Sequence, residues 1–539
     1  MLQPLVAPHL DTLESSRSTL PTDRVRQRIC HASVTRTDAL LASSAILLTG
    51  CVLFVCLSTI HWPLAGDASL IHYIDFLMEH GRVPYRDIDD MNLPGAYFID
   101  YVVMHVLGTG SLAWRIFDMS LMLTASFAMV SIARPYGWFP GVFAGTLLTL
   151  IHGRDGIFQL GQRDLTIAVL MLMAYAALFK AVRDDAAPWM LLFGVCSSMM
   201  VTIKPVFLPF GAALLICTVC MHTRRRQSMA ALVRWGVCGL FIPFAALIAF
   251  LWATHSVTDF IAVMRGIMPY HASLARKPIR YLFLHACSPL LPLCGIWIIG
   301  LVFQWRYWLR FESACLLIGV LLGLASYVIQ GKGYSYQRYP FLAPILLVMS
   351  LDVYRCLHST RWAQAAGWMG IAFGTLFLAP VSTVKASQYD WRNHDFSVML
   401  TSDLQRLGGR DLSGKVQCID TIGGCFGVLY DLQLLQTDRF VYDEFLFNPT
   451  GDTAVARTRD RFLSEMEKRP PQYLIITNDL FPLGPRGFRK LSAWPRFDSF
   501  VRQNYVLCAE GKPSTPVRWW SRTEQPVAYE IFCNAATVT

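Results

Sequence analysis

The chain is 539 residues long, 54% hydrophobic and only 16% charged, where a soluble domain carries roughly 25% charged residues. This composition excludes a disordered protein, a collagen-like fibre and a single soluble globule. Lys and Arg (47) exceed Asp and Glu (37) for a net charge of +10, yet the basic residues gather in short loops between apolar runs. Such placement points to membrane topology and not to nucleic-acid binding.

Residues 1–38 are polar and arginine-rich and read as a cytoplasmic tail, because a cleavable signal would carry its apolar stretch nearer the start. Ala39–Ile60 is the first run free of charge, and it is long enough for a hydrocarbon core of about 30 Å. Ten more spans are expected near 114–133, 139–152, 165–181, 189–203, 206–220, 231–252, 281–303, 313–330, 340–354 and 363–381. The stretch 94–107 is apolar too, but Asp100 and His105 interrupt it, so it reads as a helix lying in the outer interface. Eleven spans with a cytoplasmic start put Arg134, Lys180, Arg183, Arg224–Arg226, Arg306, Arg310, Arg355 and Arg361 inside, as the positive-inside bias requires. A twelfth span at 94–107 would move the Arg224–Arg226 triplet outside.

Beyond about residue 382 charges return and no spanning run remains. Val416–Asp420 and Tyr473–Thr477 look like short buried strands and Asp460–Lys468 looks helical. The expected fold class is therefore an all-α polytopic membrane domain over 39–381, with its first outer loop at 61–113, followed by a small C-terminal α/β domain over 382–539 on the outer side. Cys418, Cys425, Cys508 and Cys533 lie in that domain, open to any of about 3 disulfide pairings or to remaining buried thiols.

Four outer loops carry the candidate chemistry. In the first, Gly66-Asp67-Ala68-Ser69 follows the first span. A carboxylate beside the headgroups loses hydration, and its pKa can rise toward the range useful for taking a hydroxyl proton; the plainer reading is a helix cap. Pro84-Tyr85-Arg86-Asp87 comes next, and Asp87 could orient a sugar or a hard divalent ion, although the spacing fits no closed calcium loop. Asp89 and Asp90 could share that role, but a solvated turn is the plainer reading for them. In the second loop Arg163 and Asp164 open a span, either as a structural ion pair or as a polar wall facing Asp67. Lys204-Pro205 interrupts an apolar region at its outer end, where the lysine either snorkels or grips a lipid-linked phosphate. The fourth loop is Gln330-Gly331-Lys332-Gly333-Tyr334-Ser335-Tyr336-Gln337-Arg338. There Lys332 and Arg338 offer charge, and Tyr334 and Tyr336 offer faces for stacking on a sugar; an aromatic-belt loop is the alternative.

Taken in order, these residues resemble the GT-C glycosyltransferases, multi-span enzymes that use polyprenyl-phosphate sugars. The likeness is to the branch with bacterial lipopolysaccharide-modifying transferases, protein O-mannosyltransferases and the lipid A aminoarabinose transferase. It is carried by Gly66-Asp67, Pro84–Asp87, Pro94–Tyr97, Ala113-Trp114-Arg115, Gly161–Asp164, Lys204-Pro205 and Gly331–Tyr336, within about residues 39–345; Gln337 stands where the family has His. The resemblance implies sugar transfer at the periplasmic face of a bacterial inner membrane, from a polyprenyl-phosphate sugar to an envelope glycan, lipid or protein. Asp67 would be the general base of an inverting displacement, and Lys204, Lys332 and Arg338 would hold the phosphate. Arg86, Asp87, Arg163 and Asp164 would position donor, acceptor or a divalent cation (Mg or Mn), which some branches use. The rival readings are a transporter or flippase of lipid-linked sugars, which would want ionisable groups deep within its spans, and a non-catalytic subunit of an envelope assembly.

Overall fold

The computed structural model describes residues 21–222, 229–304, 310–388, 394–448, 451–484, 487–513 and 527–538. The first part of the chain is helical: α1 (Pro21–Ser58), α2 (Asp67–Glu79), α3 (Pro94–Leu107), α4 (Ser111–Ala133), α5 (Phe139–Asp155), α6 (Arg163–Arg183), α7 (Trp189–Ile203) and α8 (Leu208–His222). It continues with α9 (Met229–Ala253), α10 (Val257–Arg265), α11 (Ile267–Ser273), α12 (Ile279–Cys287), α13 (Leu291–Gln304), α14 (Phe311–Gln330), α15 (Tyr339–Leu357), α16 (Arg361–Ala372) and α17 (Ala379–Ser387).

Among the described residues, seven helical segments are long and apolar enough to cross a bilayer: the part of α1 from Arg36, then α4, α6, α9, α14, α15 and the continuous run Arg361–Ser387. That last run passes from α16 to α17 through a π-helical stretch, Phe373–Leu378, just before Pro380. The span expected at 281–303 is the pair α12 and α13, bent by 81°. The other three expected spans are α5, α7 and α8, of 17, 15 and 15 residues. At 1.5 Å per residue they rise about 22–26 Å, less than a full hydrocarbon core. Residues 1–20, Arg224–Arg226 and Arg306, which enter the topological bias, lie outside the described residues.

Hydropathy sorts these helices into centre and rim. α6 and α15 are buried on nearly all sides, whereas α1 and α9 turn large apolar side chains outward, among them Leu53, Phe54 and Leu57 on α1 and Phe241, Ile248 and Trp252 on α9. Apolar surface of that extent calls for lipid. α3 has the two-faced build of an interfacial helix, with Phe98, Val102 and Val106 exposed at four-residue spacing and Tyr97, Asp100 and Met104 buried behind them.

The C-terminal domain comprises α18 (His394–Leu407), β1 (Val416–Ile419), α19 (Cys425–Asp431), α20 (Glu444–Phe447), α21 (Thr453–Lys468), β2 (Tyr473–Thr477), α22 (Pro495–Asn504), β3 (Tyr505–Gly511) and β4 (Tyr529–Asn534). The sheet order is β1-β2-β4-β3. β1 and β2 are parallel, Val416 opposite Tyr473, and β4 is antiparallel to both its neighbours. The expected helix at 460–468 begins earlier, at Thr453, where the Asp452 carboxylate accepts from the Ala454 N–H at 2.7 Å. Disulfides join Cys418 to Cys425 and Cys508 to Cys533. The domain rests on α2: Tyr73 packs 5.4 Å from the Phe426 ring, donates to the Leu434 carbonyl at 3.1 Å and accepts from the Gln436 N–H at 2.8 Å. α2 therefore has the membrane core on one side and the sheet domain on the other.

Candidate active site

The site is built around the N-terminus of α2. Gly66 has φ +60° and ψ −133°, a region open to glycine, and a Cβ there would stand 3.0 Å from the Phe158 ring. Gly66 takes the cap position, so Asp67 is not the cap; its Oδ2 accepts instead from Arg163 at 2.9 Å. Oδ1 of Asp67 has no hydrogen-bond partner among the described residues.

Arg163 is aimed by the loop that precedes α6. Gly161 has φ +56°, and any side chain there would collide with the Trp114 ring. Its N–H donates to Asp118 Oδ1 at 2.7 Å. Asp118 is paired with Arg115 and bonded to His152, which also bonds the Tyr339 hydroxyl at 2.9 Å. The arginine singled out at 115 thus acts one layer behind the site, tying α4, α5 and α15 to the loop that delivers Arg163.

Asp164 is buried and accepts from Lys204 Nζ at 2.6 Å, and the same ammonium donates to Gln330 Oε1 at 2.7 Å. Pro205 keeps Lys204 extended (φ −144°, ψ 115°), which ends α7 and swings the side chain toward α6. Lys332 follows the left-handed Gly331 that terminates α14. Its ammonium donates to His271 Nε2, and His271 Nδ1 donates to the fully buried Glu444. This order follows from the partners: a carboxylate can only accept, so Nδ1 carries the proton and Nε2 is left to accept from the lysine. Lys332 also lies 5.1 Å over the Phe481 ring. Burial pushes the Lys332 pKa down to about 8, against the pull of the Glu444 and Asp67 charges.

Asp67, Arg163, Lys204, Lys332, Tyr334 and Tyr336 line one cavity of about 320 Å³ whose remaining wall includes Ile203, Val206, Met268 and Ile329. Tyr334 and Tyr336 stack on each other, with ring centres 5.6 Å apart. Two carboxylates, Asp67 and the His271-bound Glu444, three cations and an apolar wall can hold an anionic headgroup on an apolar chain beside a polar group.

Other expected members lie elsewhere. Arg338 is spent on a 2.6 Å ion pair with Asp155 and on the carbonyls of His285 and Ser288, outside the cavity. Arg86 and Asp87 pair with each other at 2.8 Å in a turn that Asp87 closes by accepting from the Val83 N–H at 3.0 Å, again away from the cavity. The solvated turn expected at Asp89 and Asp90 is corrected: both are buried. Asp89 pairs with Arg461 at 2.8 Å, and Asp90 accepts from the hydroxyls of Tyr97 and Tyr442. Sequence reasoning missed His271, Glu444, Tyr442 and Phe481, all of which line the cavity; the density of ionisable residues in 255–280 was the available hint for His271.

Asp67 is engaged by Arg163 and Glu444 by His271. Among the described residues no three His, Cys, Asp or Glu side chains are grouped to bind a metal.

A helical membrane core capped by an α/β domain, with its polar cavity at the segment that follows the first span, is the GT-C fold. ArnT from Cupriavidus metallidurans in the apo state has this fold, with a TM-score of 0.54 at 13% identity over 93% of this chain and 98% of that one. The same protein bound to undecaprenyl phosphate gives 0.55 at 12% identity over 90% and 97%. The Archaeoglobus fulgidus oligosaccharyltransferase tethered to an acceptor peptide gives 0.50 at 10% identity over 86% of this chain and 72% of that one. No protein-family model and no curated protein sequence matches the chain.

Proposed function

We propose that the protein is an integral membrane glycosyltransferase that moves a sugar from a polyprenyl-phosphate donor to an envelope acceptor at the periplasmic face of a bacterial inner membrane. The observation that carries the reading is the convergence of Asp67, Arg163, Lys204 and Lys332, from four separate loops, on a single cavity. The undecaprenyl phosphate in the ArnT structure supports a lipid-linked donor. Two disulfides in the C-terminal domain support an oxidising compartment for that side.

In this reading the donor phosphate lies among Arg163, Lys204 and Lys332, and the prenyl chain follows the wall of Ile203, Val206 and Ile329. Asp67 Oδ1 takes the proton of the acceptor hydroxyl as its oxygen attacks the anomeric carbon. Arg163 holds the other carboxylate oxygen and fixes its direction. The glycosidic C–O bond to the phosphate breaks on the opposite face, which inverts the anomeric centre, and the lysines stabilise the charge returning to the phosphate.

The test uses full-length protein in lipid nanodiscs with undecaprenyl-phosphate sugars and an envelope extract as acceptor. Wild type should transfer sugar, and Asp67→Asn should lose about 10²–10⁴-fold in rate while still binding undecaprenyl phosphate. Full activity in Asp67→Asn would remove the carboxylate from the mechanism. Wild type that neither binds undecaprenyl phosphate nor transfers sugar would end the transferase reading.

A further inference from the structure

A second cavity, of about 480 Å³, opens on the other side of the α2 N-terminus. It shares Leu70, Thr421 and Ile422 with the first, and Gly66 lines it where its neighbour Asp67 lines the other. Pro63–Gly66, Ser69, Leu70 and Phe158 line it together with residues of α18 and α19 of the C-terminal domain. Its size falls within the range of about 300–1,000 Å³ usual for small-molecule sites.

Its chemistry differs from that of the first cavity. Among the described residues its lining has no Lys, Arg or His, and its one ionisable side chain is Asp431. The polar groups are mainly hydroxyls, and those of Ser69, Ser397, Thr401 and Ser402 bond to no other described residue. Phe158 and Phe426 add aromatic surface. An anionic group entering here meets a carboxylate and no cation. A neutral sugar meets unspent donors and acceptors set between aromatic rings.

We propose that this second cavity is the acceptor site and that it takes an uncharged glycan, whose reacting hydroxyl reaches Asp67 past the shared wall of Leu70, Thr421 and Ile422. The assignment rests on the transferase reading above. The acceptor O–H proton goes to Asp67, the acceptor oxygen bonds to the anomeric carbon, and the electron pair of the broken C–O bond leaves on the polyprenyl phosphate. The C-terminal domain, through α18, α19 and the Thr421–Ile422 turn, then selects the acceptor.

The experiment has two readouts on full-length protein in nanodiscs: undecaprenyl phosphate affinity, and capture on an array of neutral and phosphorylated glycans with undecaprenyl phosphate present. The filling variants are Thr401→Trp and Gly427→Leu; a Cβ at Gly427 would meet Ser69 at 3.5 Å, an ordinary contact. We expect wild type to capture neutral glycans at least tenfold better than phosphorylated ones. Each filling variant should lose that capture tenfold or more while its undecaprenyl phosphate affinity stays within twofold of wild type. Capture of phosphorylated glycans only, no capture of neutral ones, or filling variants that capture like wild type would overturn the acceptor assignment. Filling variants that lose undecaprenyl phosphate would assign the cavity to the donor instead and overturn it equally. Wild type that binds no undecaprenyl phosphate would overturn the transferase reading itself.

Discussion

Lys332 carries a charge that pH can remove. Its pKa of about 8 leaves the ammonium protonated at pH 7 and mostly neutral at pH 9, so a bound phosphate loses a charge-assisted hydrogen bond worth roughly 1.5–3 kcal/mol. Undecaprenyl phosphate affinity should therefore fall about 5- to 10-fold between pH 7 and pH 9, and Lys332→Met should bind weakly throughout with that slope gone; a pH series of Kd reads both. Folding responds with the opposite sign. An unfolded lysine titrates near 10.4, so between about 8 and 10 the unfolded chain holds more protons, and the contribution of Lys332 to stability rises with pH. Glu444 is one of the charges holding that pKa up, so Glu444→Gln should move the midpoint of the affinity profile to lower pH, whereas a purely packing role would leave it in place. The sequence made Asp67, Arg163, Lys204 and Lys332 legible because each stands at a break between apolar runs, where local context is informative. It could not place Arg338, whose partner Asp155 is 183 positions away, or the His271–Glu444 contact, which spans 173. Nothing near either residue of such a pair marks the other.

Helices and turns set the aim of these side chains. Gly66 combines a backbone region that disfavours any side chain with a Cβ position only 3.0 Å from the Phe158 ring. Gly66→Ala should cost about 1–3 kcal/mol in thermal unfolding and should reduce transfer further by turning Asp67. Adding Phe158→Ala relieves the contact but not the backbone, so it should recover only part of the loss. Span positions were legible because hydropathy integrates over about twenty residues and tolerates local noise. The bend between α12 and α13 was not, since both arms are apolar and the composition runs through the break. β3 escaped notice for a related reason: it is an edge strand with Val506 and Leu507 exposed, so its pattern lacks the alternation of a half-buried strand.

At the scale of the molecule, the membrane core supplies the cations, and the C-terminal domain supplies Glu444, Phe481 and the turn between the two cavities. Losing the Cys508–Cys533 bridge, which closes a separation of 25 residues, should lower the stability of that domain by about 2–4 kcal/mol. Comparing thermal unfolding of Cys508→Ser/Cys533→Ser with wild type checks this, and the Cys418–Cys425 bridge, spanning only 7, should contribute less. The sheet also imposes an order of assembly. β4, at Tyr529–Asn534, lies between β2 and β3, both synthesised earlier. A nascent chain that has already released every membrane helix still holds two strands waiting for a third. Premature termination or proteolytic clipping just before Tyr529 would thus disarm a cavity whose cationic residues were laid down hundreds of codons upstream.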